Sequence, residues 1–264
     1  MSSDKWRTAV PVLVAVLLFS TPPGCSVKED RNFCPCALRL YFRDPPRAAV
    51  LVASDTGSDV MRRDTVFLEG RDTAVWLRLE GNHADLAVFQ PIDCGFSVRE
   101  GLRIPTGEAA PPLWLDAFSV PLTEEEVADT VCLHKEYCFL EIRIMESGGV
   151  PAYPFRLCFR GNVGGVSRTG DPVEGAFEVV REPDADGTVR ICLPRQRDAS
   201  LLLDITDGEN RVRTFALGEY LEQSGYDWAA LDLADQSMTL DFSRTAIRLE
   251  IGSWKRTYAC EVVI

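Results

Sequence analysis

Histidine is nearly absent. His83 and His134 are the only two in 264 residues, too few for a centre built on several imidazoles, whether a metal site or a proton relay. His83 falls in a turn-like stretch and His134 near a change of domain, and both read as exposed or structural residues. No Gly-x-Ser-x-Gly elbow is present. Acidic residues are plentiful, but none stands apart as a glycosidase-type pair. No catalytic residue and no cofactor is expected, and the chain reads as a non-enzyme. Basic residues are outnumbered, 28 against 40 acidic ones, for a net charge of −12. Such a chain repels phosphate backbones, and without a local basic patch it is not expected to bind nucleic acid. No apolar run reaches the twenty or so residues of a membrane-spanning helix. The remaining composition, 46% apolar and 26% charged, excludes a wholly disordered or collagen-like chain. Its length suits about two domains.

The N-terminus carries an export pattern. Lys5 and Arg7 precede an apolar run at 10–19 (VPVLVAVLLF), followed by Thr21-Pro22-Pro23-Gly24-Cys25. A short apolar run behind a basic start fits a signal peptide, here residues 1–24. Gly24-Cys25 supplies the small-residue and Cys pair of a bacterial lipobox, although Pro22 stands where an aliphatic residue is usual. Cys25 is therefore the expected lipid attachment point, set against an ordinary cleavable signal with a nearby structural Cys. Lys28, Glu29 and Asp30 follow at once. They resemble the surface-export signal of outwardly displayed lipoproteins; the plainer alternative is a charged, solvated tether at 25–33. Loss of 1–24 removes Asp4, Lys5 and Arg7, a net single positive charge, and leaves −13. Several acyl chains on Cys25 would hold the protein stably in outer-membrane lipid without spanning it.

Beyond the tether the pattern is that of strands. Cys36, Leu38, Leu40 and Phe42 alternate with Ala37, Arg39 and Tyr41. The same period of two recurs at 75–79, 85–90, 138–144, 155–160, 189–193, 201–205, 238–242, 247–251 and 258–264. Turn chemistry separates the runs at Glu80-Gly81-Asn82, Gly161-Asn162, Gly164-Gly165, Asp186-Gly187 and Asp207-Gly208-Glu209-Asn210. Helix is scarce. Thr123 with Glu126 makes a capping box before Val127, and 217–223, ending near Gly225, reads as a second short helix. The expected fold class is all-β, with two β-sandwich domains at 34–130 and 131–264 and the division near Glu124-Glu125-Glu126.

Segments 25–42 (CSVKEDRNFCPCALRLYF), 160–163 (RGNV), 193–198 (LPRQRD), 217–220 (LGEY) and 224–228 (SGYDW) stand out, as does Trp254 ahead of a final apolar strand. Together they resemble FimB-like fimbrial anchoring subunits of type V pili. The match covers most of 25–264 and is weakest from 45 to 120. It implies two transthyretin-like sandwiches and a lipoprotein holding the pilus base to the outer membrane and limiting fibre length. Stalk subunits of that group lose an N-terminal strand to an arginine-specific protease, and a neighbour's C-terminal strand fills the groove. Anchors keep the strand and the lipid. The implied partner is a fimbrial stalk subunit, with a host protein or glycan as a further candidate.

The tail 258–264 has the alternation a donor strand needs, through Tyr258, Cys260, Val262 and Ile264. Its alternative role is the last strand of its own sandwich. The strand at 37–42 would be the retained one, and Arg43, Arg47, Arg62 and Arg63 behind it are sites where a protease would convert the protein into a stalk or tip subunit. Cys34-Pro35-Cys36 lacks the spacing and the second pair of a structural zinc site. With Cys25 acylated, eight cysteines remain, an even number that permits disulfides outside the cytosol. Cys138, Cys158 and Cys192 fall inside strands and also read as buried free thiols. The rival function is a surface glycan-binding lipoprotein, with Trp114 in a proline-rich stretch as the stacking ring and core packing as its alternative role.

Overall fold

Alternating side chains with turn residues between them produce eighteen strands and one short helix among the described residues. The computed structural model describes residues 36–44, 46–55, 62–68, 74–97, 100–146, 155–242 and 246–259. In chain order the elements are β1 (Cys36–Phe42), β2 (Ala48–Asp55), β3 (Arg62–Phe67), β4 (Ala74–Leu79), β5 (His83–Gln90), β6 (Leu102–Arg103), β7 (Trp114–Pro121), β8 (Glu126–Val131) and β9 (His134–Lys135). There follow β10 (Tyr137–Glu146), β11 (Arg156–Val166), β12 (Pro172–Arg181), β13 (Thr188–Pro194), β14 (Leu202–Thr206), β15 (Val212–Phe215), α1 (Leu217–Gln223), β16 (Gln236–Phe242), β17 (Ala246–Ile251) and β18 (Trp254–Ala259).

The first half forms two facing sheets, ordered β4-β1-β8 and β3-β2-β5-β7-β9. Leu38 and Leu40 of β1 and Leu79 of β4 meet Leu51 of β2 and Leu86 and Val88 of β5 in one buried core. The second half repeats the plan with β13-β10-β16-β17-β18 facing β12-β11-β14-β15. There Leu140 and Ile142 of β10 meet Leu157 and Phe159 of β11, and Leu217 and Leu221 of α1 join the same core. The expected all-β sandwich architecture is thus observed. The expected helix at 217–223 also forms; it buries Leu217, Tyr220 and Leu221 and stops at Gly225, whose φ is +91°.

Segments from each half cross to the other. β9 pairs with β7, so His134 and Lys135 extend a first-half sheet, whereas β6 pairs with the end of β11. After β6 the chain straps the second sandwich. Ile104 N donates to Gly164 O at 2.8 Å, Gly107 N to Glu178 O at 2.8 Å and Ala110 N to Cys192 O at 3.2 Å. The strap therefore runs from β11 past β12 to β13, the edge strands of the two facing sheets. Glycine permits this approach: a Cβ on Gly165 would lie 2.0 Å from Leu102 O, and one on Gly101 (φ +79°) 2.0 Å from Val166 O. A third apolar cluster, with Val50, Val52, Phe89, Leu102, Leu115 and Val166, fills the joint. Arg195 locks its rim. Its Nε donates to Glu136 Oε2 at 2.5 Å, and Nη1 donates to the carbonyls of Trp228 and Ala230 at 2.6 and 2.7 Å.

Three sequence expectations are corrected. Thr123 and Glu126 do not cap a helix: Glu126 opens β8, which pairs in parallel with β1. Val127 and Val131 face the core there, and the pairing outweighs the local capping signal. Gly161-Asn162 and Gly164-Gly165 are not turns but lie inside β11, where the register shifts between Gly161 and Gly165. Glycines in a strand mark a bulge or a close backbone approach, and here they mark both. The last strand begins earlier than expected, at Trp254, after a hairpin through Gly252 (φ +56°).

Gly165→Ala should displace β6 and lower unfolding stability by about 3 kcal/mol, read as a fall in the urea midpoint. Gly95→Ala, which meets nothing within 4 Å but keeps φ at +78°, should cost about 1–2 kcal/mol.

Candidate functional site: the N-terminal strand and the groove it fills

The strand expected to be retained is β1, and its surroundings are well defined. Alternation sends Cys36, Leu38, Leu40 and Phe42 inward, with Leu38 and Leu40 at 0% exposure. Ala37, Arg39 and Tyr41 face out. β1 is the middle strand of its sheet. On one side it pairs antiparallel with β4 from Cys36 opposite Leu79 to Tyr41 opposite Ala74. On the other it pairs parallel with β8 from Ala37 opposite Glu126 to Phe42 opposite Val131. Ala37 N donates to Glu125 O at 2.8 Å and Arg43 N to Val131 O at 3.1 Å, extending the ladder at both ends. Withdrawing β1 would leave β4 and β8 with facing unpaired edges. It would also expose Leu38, Leu40 and Phe42, each worth about 1.5–3 kcal/mol of burial.

The chain leaves β1 through an exposed bend at Arg43 and Asp44, and Arg47 is exposed at the start of β2. Arg47 O accepts from Leu68 N at 3.0 Å. Arg62 and Arg63 are exposed on β3, an edge strand. Cys25, Lys28, Glu29 and Asp30 lie outside the described residues, as do Cys34, Cys260, Val262 and Ile264. Tyr258 is in β18, opposite Ile247 of β17, and β18 is the edge of its sheet.

His83 Nε2 lies 3.3 Å from Asp85, and His134 Nδ1 3.5 Å from Asp232. Among the described residues no three His, Cys, Asp or Glu side chains group as metal ligands. Among the described residues Cys94, Cys132, Cys138, Cys158 and Cys192 are free thiols. Desolvation pushes the Cys138 thiol up to about 11 and that of Cys192 up to about 12, which keeps both protonated and poor nucleophiles at neutral pH. A cleft of about 340 Å³ at the joint is lined by Asp116, His134, Glu136, Asp171 and Arg195. Burial raises the Asp116 carboxyl, opposed by the bond from Cys132 N at 2.6 Å. Trp114 opens β7 and packs edge-to-face on Tyr137 at 6.2 Å, against the second core. Of the two roles left open for Trp114, this placement supports packing. Trp228 is likewise buried, 4.6 Å from Tyr226. Trp76, by contrast, is 53% exposed, an outward position that follows from the phase of Val75, Leu77 and Leu79.

Two strapped β-sandwiches with a buried N-terminal strand define the fold class. No protein-family model and no curated protein sequence matches the chain. Solved structures do. The fimbrial anchor protein Mfa2 from Porphyromonas gingivalis superposes with a TM-score of 0.64 at 13% identity, over 85% of this chain and 100% of that one. A candidate polysaccharide-binding protein from Bacteroides thetaiotaomicron gives 0.62 at 12% identity, over 84% of this chain and 98% of that one. A candidate adhesin from the same organism gives 0.60 at 14% identity, over 84% and 97%. The sequence resemblance to fimbrial anchoring subunits is thus met by a matching fold.

Leu40→Ala, which empties the centre of the groove, should lower unfolding stability by about 2–5 kcal/mol in urea titration. Amide exchange in β1 should accelerate by the corresponding factor.

Proposed function

We propose that the protein is a lipid-anchored anchoring subunit of a bacterial fimbrium. In this reading 1–24 are removed, Cys25 carries the acyl chains, and Lys28, Glu29 and Asp30 direct the protein to the outer face of the outer membrane. Residues 25–33 tether the lipid to a first domain at 34–130, and the second domain, at 131–264, faces the fibre. The supporting observation is the placement of β1, bonded on both sides by β4 and β8. A subunit that keeps this strand has its first groove closed and joins the pilus only through its other end. That suits a terminal position in the fibre, and the fold it shares with a fimbrial anchor protein agrees. The contact with the first stalk subunit is assigned to the tail, where Tyr258, Cys260, Val262 and Ile264 present one face of a donated strand. That tail follows on β18, an edge strand. The role is mechanical and transforms no substrate.

One observation favours a second reading. Arg43 is exposed in the bend directly after β1, so a cut there would separate β1 from the body and convert the protein into a stalk or tip subunit.

Loss of the protein from its native cells should give fimbriae that are longer and shed into the medium, seen by electron microscopy and fractionation. Cys25→Ala should move the protein from the membrane to the soluble fraction. Fimbriae of unchanged length and attachment in the deletion strain would contradict the anchoring role, and membrane retention of Cys25→Ala would contradict lipidation.

A further inference from the structure

The outward face of the β4-β1-β8 sheet is a grid fixed by strand register. Arg78, Ala37 and Glu126 form one row, Trp76, Arg39 and Ala128 the next, and Ala74, Tyr41 and Thr130 the third. Single exposed rings are ordinary, but rings gathered on one sheet face mark a binding surface. Here Trp76 is 53% exposed and Tyr41 38% exposed. Between them the Arg39 guanidinium lies 4.8 Å from the centre of the Trp76 ring and 4.9 Å from that of Tyr41. The π faces attract the cation from both sides and restrain it. Arg39 Nε is buried and has no hydrogen-bond acceptor among the described residues.

These features select a ligand class. A restrained guanidinium presents N–H donors to a carboxylate; in the neighbouring row Arg78 adds a positive charge on one side and Glu126 a negative one on the other. The two exposed rings offer flat apolar surfaces of the kind that C–H faces of sugars cover. Ala37, Ala74, Ala128 and Thr130 are small, so the rings and the guanidinium stand above their surroundings. From strand spacing the grid measures roughly 10 Å by 15 Å, far short of the about 800 Å² that each partner gives to a standard protein interface. The ring centres lie within about 10 Å of one another through Arg39, a span suited to a few linked pyranose rings. A terminal acidic sugar would engage the cation and a single ring, whereas an internal residue of a polymer engages the cation and both.

We propose that this face binds a uronic-acid polysaccharide, with one sugar carboxylate on Arg39 and the adjoining sugars stacked on Trp76 and Tyr41. The site is independent of the anchoring role, and either can fail without the other.

The test titrates the full mature chain with oligogalacturonates of increasing length, by calorimetry and tryptophan fluorescence. Affinity should rise up to about the trimer and fall with added salt. Trp76→Thr and Arg39→Gln should each weaken binding about tenfold, and Tyr41→Thr should shorten the oligomer length at which affinity levels off. Circular dichroism and thermal melts of each variant separate lost binding from lost folding. Absence of wild-type binding, equal binding of neutral dextran, a preference for sialyllactose over the trimer, or undiminished binding by folded Trp76→Thr would each overturn the assignment.

Discussion

The structure depends on one strand being held from both sides. β1 supplies the inward Leu38 and Leu40 at the middle of the first core and bonds to β4 and β8 along its length. Because β8 runs parallel to it and β4 antiparallel, the strand is gripped by two ladders whose bonds lie across its axis. A pull along that axis from the N-terminal side loads these bonds together rather than one after another. The two ladders therefore resist unfolding of the first sandwich when this strand is pulled. The same geometry makes the strand hard to replace, since a competing strand must displace two ladders and several buried side chains at once.

The joint between the sandwiches extends this logic. β2 is buried on both faces: Leu51 and Ala53 point into the first core, Val50 and Val52 into the cluster shared with Leu102 and Val166. The strap from Leu102 to Ala110 lies along the second sandwich, and Arg195 binds Glu136 at the crossover while holding the carbonyls of the segment around Trp228. Breaking a buried ion pair of this kind leaves an uncompensated charge. Load entering at one sandwich therefore passes to the other through packed side chains and backbone bonds.

Much of this was legible in the sequence, for reasons that also explain what was missed. Strands with one wet face, such as β1, β4 and β10, show clean alternation and read correctly. β2, buried on both faces, reads as a continuous apolar stretch without a period. β6 and β9, two residues each, carry no periodic signal; they exist because tertiary contact places an edge beside them. The capping pattern at Thr123 and Glu126 was a true local preference overruled by the parallel partner β1. Gly164 and Gly165 looked like a turn because glycine serves turns and close approaches alike, and only the position of Leu102 distinguishes them. At the candidate site the strand itself was visible, but its parallel neighbour β8 and the outward Trp76–Arg39–Tyr41 group were not, since both depend on register between distant segments.

The most direct test of the central claim is the mass of the protein recovered from fimbriae of the native cells. Retention of β1 predicts one chain beginning at acylated Cys25 and continuous through Arg43 and Arg47. A chain beginning at Asp44, at Ala48 or after another arginine, with its first groove filled by a neighbour's strand, would contradict it.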